Sequence, residues 1–555
     1  MVEQLSRRLS QPLSRVPAWA WLLVPGVVVV APLWFARYLP FADMPEHAAV
    51  SAALAHWDDP AWRIPEYFAF APFSTPYWLY DFVGALVARV VGDAFTAHVV
   101  LLTLVGLSLP WSAAAFLESL GRDRRLGALA AALFWNRALQ YGLLPFMASI
   151  PVLLYGLAGY IGFLRRRSTG RASRGALTLL FARACAAALL LPFLHITTFA
   201  VYWLVAAGYA LVWWRHSGGP GGLRKVLPLL PLLSAGIVVA YALGATRTGG
   251  FEGELRFLSA RTTLASIPEW SFNVWRRRDE KVFAVVYWIG YLGVFVSGFR
   301  RRTRFVFVRI WPLLVAAVIF AAVPFQIGAG MMLNIRVGPL LWVMLLPLLR
   351  LRPTRLARAS VVATLLGTLG QALVARSVVL ASQEDLGDFR SIVDAVPTGS
   401  RILYLPFDRR TPQAHFFPWM HVAAAIRAEK GGLSQFSFTV LPHWPLHDRV
   451  SPRKPGFWDR SPCWFEADTD GAFYDVLLVR GAFDPFQGTG DALRHPMGSE
   501  FVLTVAAPPF YLWRRQPAAR LFPTPELEPA PCDAWGPSVR SGFRKLPATL
   551  PRTLR

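Results

Sequence analysis

The feature that most constrains this chain is a series of apolar segments close to the length that a membrane requires. A bilayer core is crossed by about 20 apolar residues in a helix. The segments lie at about 18–36, 97–117, 125–138, 146–163, 176–194, 196–214, 226–244, 282–299, 305–325, 334–350 and 359–381. With 55% of 555 residues hydrophobic and 16% charged, they predict an all-α polytopic membrane bundle of about 11 transmembrane helices.

The basic residues indicate the orientation of this bundle. The formal net charge is +24, but Lys and Arg gather in short clusters between the apolar runs, which favours membrane topology over nucleic-acid binding. Six clusters, from SRRLSQPLSR to RLRPTRLAR, fall on one side if the N-terminus is cytoplasmic, and only WRRRDEK at 275–281 falls on the other. The pattern predicts that the first loop (about 37–96) and the C-terminal segment face away from the cytoplasm.

The chain divides into two predicted domains. Residues 1–381 form the membrane domain with its long first outer loop, in which 75–93 reads as an interfacial or re-entrant helix. Residues 382–555 read as a small extracytoplasmic α/β domain with a poorly ordered tail from about 520. Its predicted strands are RILYLPF, YDVLLVRG and FVLTVAAPPFYLWRR, and its predicted helices are FRSIVDAV and MHVAAAIRAEKGG. Cys463 and Cys532 in this part are either a disulfide or two free thiols.

The stretch FADMPEHAAV at the start of the first outer loop has two interpretations. In one, Asp43 caps a helix that begins near Met44, with Glu46 completing a capping box. In the other, Asp43, Glu46 and His47 belong to an active site, because carboxylates at a membrane interface are costly and are commonly functional. We favour the second interpretation, although both can hold at once.

Several motifs resemble the GT-C superfamily of integral-membrane glycosyltransferases, of the bacterial type that depends on polyprenyl-phosphate sugars. They are FADMPEH, TPYW, GRDRRLGALAAALFW, LQYGLLPFMASIPVLL and PFLHITTFAVYW. The resemblance covers about 1–381 and implies a multi-pass protein of the bacterial inner membrane. It also implies three partners: a lipid-linked sugar donor, membrane lipid and an extracytoplasmic acceptor. Asp43 is in the position of a general base that would take a proton from the acceptor hydroxyl.

Further residues are candidates for binding the substrate: Arg336, His195, Tyr141 and Asp81. Arg336 stands near the outer end of a predicted span, where it either reaches to the interface or pairs with the lipid phosphate, as a basic residue does in GT-C relatives. His195 follows a break after Pro192 and is either exposed to a cavity or bonded to a nearby carbonyl. Tyr141 lies in the outer loop between the third and fourth predicted spans, and Asp81 lies in the interfacial helix.

The sequence leaves open whether the protein binds a metal cofactor. Many GT-C enzymes carry a second acidic motif in the loop that here reads WNRALQYGLLPFMAS, which contains no carboxylate. A divalent cation such as Mg²⁺ or Mn²⁺ would need several oxygen ligands, which Asp58, Asp59 and Asp81 could supply. For Asp58 and Asp59 we favour a solvated turn before Pro60. His443 and His447 flank Pro445 and form only a weak zinc motif.

A second class of function fits the same sequence. Because the second acidic motif is absent, the chain could be a non-catalytic membrane protein that binds or moves lipid-linked glycans or scaffolds envelope assembly. For the C-terminal domain we expect a cover that faces the acceptor rather than a second catalytic unit, because its polar residues form no recognisable triad or metal set.

Overall fold

The structure is a computed structural model that describes most of the chain between residues 17 and 517. The gaps are 72–76, 171, 217–226, 241–254, 299–305, 328–329, 352–353, 410, 416, 441–443, 451–472, 482–491 and 496–498. Six of the described helices are long and apolar enough to cross a membrane. Shorter apolar helices lie at Ala18–Trp34, Pro228–Ala240, Val308–Ala322 and Ile335–Leu348. A polytopic helical bundle is therefore confirmed, whereas the count of eleven spans stays a prediction.

The elements are named here in chain order. The α-helices are α1 (Ala18–Val30), α2 (Met44–Ala55), α3 (Ile64–Tyr67), α4 (Leu79–Val91), α5 (Ala94–Ser119), α6 (Arg137–Tyr141), α7 (Leu144–Thr169), α8 (Arg174–Leu194), α9 (Ile196–His216), α10 (Ala260–Phe272), α11 (Arg278–Gly298), α12 (Val306–Ala322), α13 (Gly338–Leu345), α14 (Arg355–Leu386), α15 (Phe389–Ala395) and α16 (Val422–Lys430). The strands are β1 (Phe68–Phe70), β2 (Leu255–Arg256), β3 (Gln326–Ile327), β4 (Gly330–Met331), β5 (Arg401–Pro406), β6 (Leu433–Ser434), β7 (Leu446–Asp448), β8 (Val476–Arg480), β9 (Ala492–His495), β10 (Ser499–Ala507) and β11 (Phe510–Pro517). The six long helices are α5, α7, α8, α9, α11 and α14.

The outward face of α11 shows why these helices belong in lipid. Large apolar side chains recur at helical spacing along that face, and each is more than half exposed: Val282, Val285, Ile289, Leu292 and Val296. On the inward side Gly290 packs against α14 so closely that a Cβ there would lie 2.5 Å from the Ser360 carbonyl oxygen. A continuous exposed apolar stripe is unfavourable in water and favourable in a bilayer, so the stripe faces lipid.

The third predicted span, 125–138, is not an α-helix, so the predicted helix type is wrong there. Residues Arg124–Phe134 form a 3-10 helix, Trp135 is extended, and α6 follows. A 3-10 helix rises about 2.0 Å per residue, so this run reaches about 22 Å rather than the roughly 16 Å of an α-helix. Its small residues let it pack against α1 and α5; a Cβ on Gly127 would lie 2.5 Å from the Pro110 carbonyl oxygen.

The C-terminal part is built on a mixed six-stranded sheet in the order β6-β5-β8-β11-β10-β9. Strand β5 pairs in parallel with β6 and β8, and the remaining pairs are antiparallel. The predicted strands and both predicted helices are confirmed, except that FVLTVAAPPFYLWRR forms parts of two strands in a hairpin. The prolines at 508 and 509 form its turn because proline has no N–H to continue a ladder.

The sheet packs directly against the helices of the membrane domain. Ile402, Tyr404, Leu478 and Leu512 point from one face into the same core as the helices, while the opposite face forms its own smaller cluster around Trp513. Strand β1 of the first outer loop pairs with β7, and α2 packs against α16. The two parts therefore share a hydrophobic core rather than meeting as separate bodies.

Some sequence predictions concern a domain boundary that falls inside a helix or residues that lie outside the described part of the chain. The predicted domain boundary at 381 falls inside α14, which ends at Leu386. The tail from about 520, Cys463, Cys532 and His443 lie outside the described residues. Cys185 is a free thiol on α8.

Candidate active site

Asp43 stands at the start of α2, but its side chain does not cap the helix. The helix begins at Met44 as predicted, and the Asp43 carboxylate makes no capping hydrogen bond. Its backbone carbonyl instead accepts bonds from the N–H groups of Glu46 and His47. The side chain is 20% exposed. Since the capping-box interpretation requires the carboxylate to bond an N–H of the first turn, the structure leaves that carboxylate available for another role.

The backbone at Ala42 and Asp43 is held by the loop that follows the 3-10 run. The N–H of Ala42 donates to the Gln140 carbonyl at 3.1 Å, and the N–H of Asp43 donates to the Tyr141 carbonyl at 3.0 Å. The next residue, Gly142, has a φ of +83°, and a Cβ there would lie 2.7 Å from the Asp43 nitrogen. Only glycine accommodates both the left-handed conformation and this close approach.

A buried arginine, Arg336, lies close enough to this carboxylate for the two charges to interact. The Arg336 guanidinium donates to the carbonyls of Met332 (3.0 Å) and Met331 (2.5 Å), and its Nη1 donates to His195 Nε2 at 3.1 Å. Arg336 is 9% exposed and therefore does not reach out to the interface. Because arginine cannot accept, His195 Nε2 must be the acceptor, so His195 is bonded to Arg336 through that nitrogen rather than to a carbonyl.

The surroundings shift the protonation of Asp43. The pKa of the Asp43 carboxyl is raised to about 7, chiefly by burial and also by the neighbouring Glu46 charge. The charges of His47 and Arg336 oppose this rise. A carboxyl with a pKa near neutral pH can both accept and release a proton under working conditions, which is the property of a general base.

His47 is oriented by Asp81. The Asp81 carboxylate lies 2.8 Å from His47 Nδ1, and both side chains are buried. The imidazole ring packs against Trp444 at 5.0 Å and Tyr80 at 5.6 Å. Burial raises the pKa of Asp81, and the charge of His47 opposes that rise. The structure therefore gives Asp81, a predicted substrate-binding residue, a partner within the protein.

Glu46 faces the C-terminal domain. Its Oε2 accepts from Ser437 Oγ and from the Phe438 N–H, both at 3.2 Å, and lies 3.6 Å from Arg427 Nη1. Burial raises the pKa of Glu46, while Arg427 and the two hydrogen bonds lower it. These contacts tie the C-terminal domain to α2.

The C-terminal domain also contributes a histidine beside Asp43. His421 Nε2 lies 3.6 Å from Asp43 Oδ1, and the His421 ring stacks on Phe436 at 5.0 Å. Sequence reasoning missed His421 because it stands at the start of a helix in another domain, where nothing local marks it as a site residue. It also missed Tyr77, whose ring meets His195 at 5.5 Å, although TPYW was among the quoted motifs.

The predicted residues thus lie in one cluster and two pairs. Asp43, Arg336 and His195 come together, and Tyr141 joins them through its backbone while its ring stacks on Trp270 at 5.4 Å. His47 with Asp81, and Glu46 with Arg427, form pairs along α2.

The described residues bring no three His, Cys, Asp or Glu side chains together as metal ligands. Asp59 instead accepts from the Ala61 N–H in an exposed turn. A cleft of about 340 Å³ lies near the other end of α2, beside Arg37, His56 and Glu429, and not at Asp43.

Comparison with known proteins finds only distant similarity to solved structures. No protein-family model and no curated protein matches the chain. It is similar to the crystal structure of ArnT from Cupriavidus metallidurans in the apo state, with a TM-score of 0.49 and 14% identity over 89% of this chain and 96% of that one. For ArnT bound to undecaprenyl phosphate the TM-score is 0.44 and the identity 14%, over 91% and 98% of the chains. At this identity and these TM-scores, the similarity assigns neither an activity nor a site.

Proposed function

We propose that this chain is a GT-C-like glycosyltransferase that moves a sugar from a polyprenyl-phosphate donor to an acceptor hydroxyl outside the cytoplasm. The observation that carries the proposal is the meeting of a carboxyl whose pKa is near 7, Asp43, with a buried guanidinium, Arg336. In this proposal the bundle has about eleven spans, with its N-terminus in the cytoplasm and its C-terminal domain outside.

The reaction needs both charges. Asp43 takes the proton of the acceptor hydroxyl as the acceptor oxygen bonds to the anomeric carbon of the sugar. The bond between that carbon and the phosphate oxygen breaks, and the electron pair leaves with the lipid phosphate. Arg336 stabilises the negative charge on this leaving group. The protons and charges balance without a further reactant.

Arg336 has donors to spare for a phosphate. With the described residues it uses three of its five N–H groups, on Met331, Met332 and His195. These bonds orient the planar guanidinium in advance, which favours a bidentate contact with phosphate oxygens. Lipid-facing helices such as α11 would let a polyprenyl tail stay in the bilayer while its phosphate head reaches the site.

The experiment is a transfer assay with Asp43→Asn. Purified protein receives a panel of undecaprenyl-phosphate sugars, with extracted envelope lipids as acceptors. Asparagine keeps the shape of the side chain but cannot take the proton, so we expect turnover to fall at least about 100-fold. Asp59→Asn is the matched control, because asparagine caps a turn about as well as aspartate.

Two outcomes would change the proposal. Wild-type turnover in Asp43→Asn would end the assignment of the general base. Binding of undecaprenyl phosphate, but not of undecaprenol, by a wild-type protein that transfers no sugar would favour the non-catalytic lipid-binding alternative.

A further inference from the structure

The C-terminal domain places a histidine side chain beside Asp43. His421 directly precedes α16, and its Nε2 approaches the Asp43 carboxylate to 3.6 Å. That distance is longer than a hydrogen bond but within the range of an ion pair. His421 is 7% exposed, so the two groups interact where water screens little.

Two sets of contacts fix the position of His421. Its ring stacks on Phe436 and meets the edge of Phe438 at 5.4 Å. Further along the chain, within α16, Arg427 pairs with Glu46, which also accepts a hydrogen bond from the Phe438 N–H. The two contacts between α16 and α2 thus repeat along both helices, Asp43 with His421 and Glu46 with Arg427.

We propose that His421 is a positioning residue for the transfer reaction, so that the C-terminal domain supplies part of the active site. When it is protonated, its imidazole ring holds the Asp43 carboxylate in place and stabilises the charged form that accepts the proton. The meaning of this contact for transfer rests on the proposed function. The contact itself can be tested without any substrate.

Other groups around Asp43 must be held constant in that test. They come from every element packed against it: Glu46 and His47 from α2, Tyr141 from α6, and Arg336 from the turn before α13. A substitution at residue 421 leaves all four in place, so a change in the titration of Asp43 would report on residue 421 alone.

The test measures the protonation of Asp43 by chemical labelling. Dicyclohexylcarbodiimide is an apolar reagent that modifies protonated carboxylic acids, and mass spectrometry can localise the adduct. In the full-length wild-type protein, labelling of Asp43 should decline as pH rises through about 7. In His421→Gln the positive partner is absent, so we expect the midpoint to rise by about one pH unit. In His421→Arg the positive charge is permanent, and we expect the midpoint to fall.

The controls separate this contact from a structural effect. Asp43→Asn gives the labelling background, which includes Glu46. His56→Gln is the matched histidine control: His56 lies at the other end of α2, about 20 Å away, and stacks on Trp62, so its loss should leave the midpoint unchanged. The test needs only one of the two His421 variants to be folded, which is judged by elution as a single species in size-exclusion chromatography.

A midpoint within about half a unit of wild type in a folded His421 variant would overturn the proposal, given the larger shift expected for a nearby charge. The absence of Asp43 labelling down to pH 5 would also overturn it, because the pair would then not titrate near neutral pH. If the midpoint moves but no sugar is ever transferred, the proposed function fails and the contact stands. If sugar is transferred and the midpoint does not move, only this inference fails.

Discussion

At the scale of single residues, the candidate site depends on how little water reaches one carboxyl group. Asp43 is four-fifths buried and interacts with charges of both signs, Glu46 and Arg336 among them. Burial disfavours the charged form, while a nearby guanidinium or imidazolium favours it. The balance leaves the pKa of Asp43 at about 7 instead of its ordinary value near 4.

If the chain carries out the proposed transfer with Asp43 as the base, this balance predicts the pH dependence of the reaction. The raised pKa means that Asp43 is protonated, and so inactive as a base, below about pH 7 and ionised above it. We therefore expect kcat/KM to rise about tenfold per pH unit below pH 7 and to level off above it. Measurement between pH 5 and 9 with one donor checks this. A flat profile between pH 5 and 7 would mean that the reacting carboxyl has an ordinary pKa.

At the scale of elements, a short turn decides where Asp43 stands. The 3-10 run and α6 carry the chain back to the start of α2, and two backbone hydrogen bonds join 42–43 to 140–141. Gly142 closes this turn with its α-carbon against the Asp43 backbone. The sequence correctly indicated a helix from Met44 and placed Tyr141 in a loop, but no local pattern indicated that this loop returns to the start of that helix.

Gly142→Ala should therefore remove activity by moving Asp43. The new methyl group would lie 2.7 Å from the Asp43 nitrogen, so the backbone must shift. A displacement near 1 Å can cost about 100-fold in rate. Gly92→Ala is the matched control, since Gly92 has a similar φ of +79° but open space around it, and it carries only the backbone strain of about 1–2 kcal/mol. Equal activity in the two variants would contradict this role for the turn.

At the scale of the whole molecule, the outer loop and the C-terminal domain interlock. Strand β1 pairs with β7, and α2 packs on α16. Glu46 on α2 pairs with Arg427 on α16. This arrangement changes our expectation for the C-terminal domain. A cover could be removed without harm, whereas removal of this domain would expose the Glu46 carboxylate and take His421 away from Asp43.

The buried ion pair predicts the strength of this attachment. Arg427→Met leaves Glu46 as an uncompensated buried charge, which should cost about 3 kcal/mol of the free energy of unfolding. We expect a clear fall in the apparent Tm in detergent, partly recovered when Glu46→Gln is added. Arg390→Met is the control, because its pairs with Glu429 and Asp394 involve a half-exposed arginine and should be worth at most about 1 kcal/mol. An equal effect of the two arginine variants would count against the attachment.

The sequence by itself determined that the chain crosses a membrane several times and carries a small strand-containing C-terminal part. Both properties follow from local composition and periodicity, which act on every stretch of chain regardless of its partners. It also identified Asp43, Arg336 and His195 separately, because ionisable residues beside apolar spans stand out from their surroundings.

Only the tertiary structure decided which polar groups meet. The Asp43 carboxylate could have capped α2, and Arg336 could have reached to the interface; packing placed the two beside each other instead. Glu46 and Ser437 are 391 residues apart in the chain, and no local pattern relates them. Such contacts form because buried charges must find partners once the shared core has closed, and that choice depends on the whole fold.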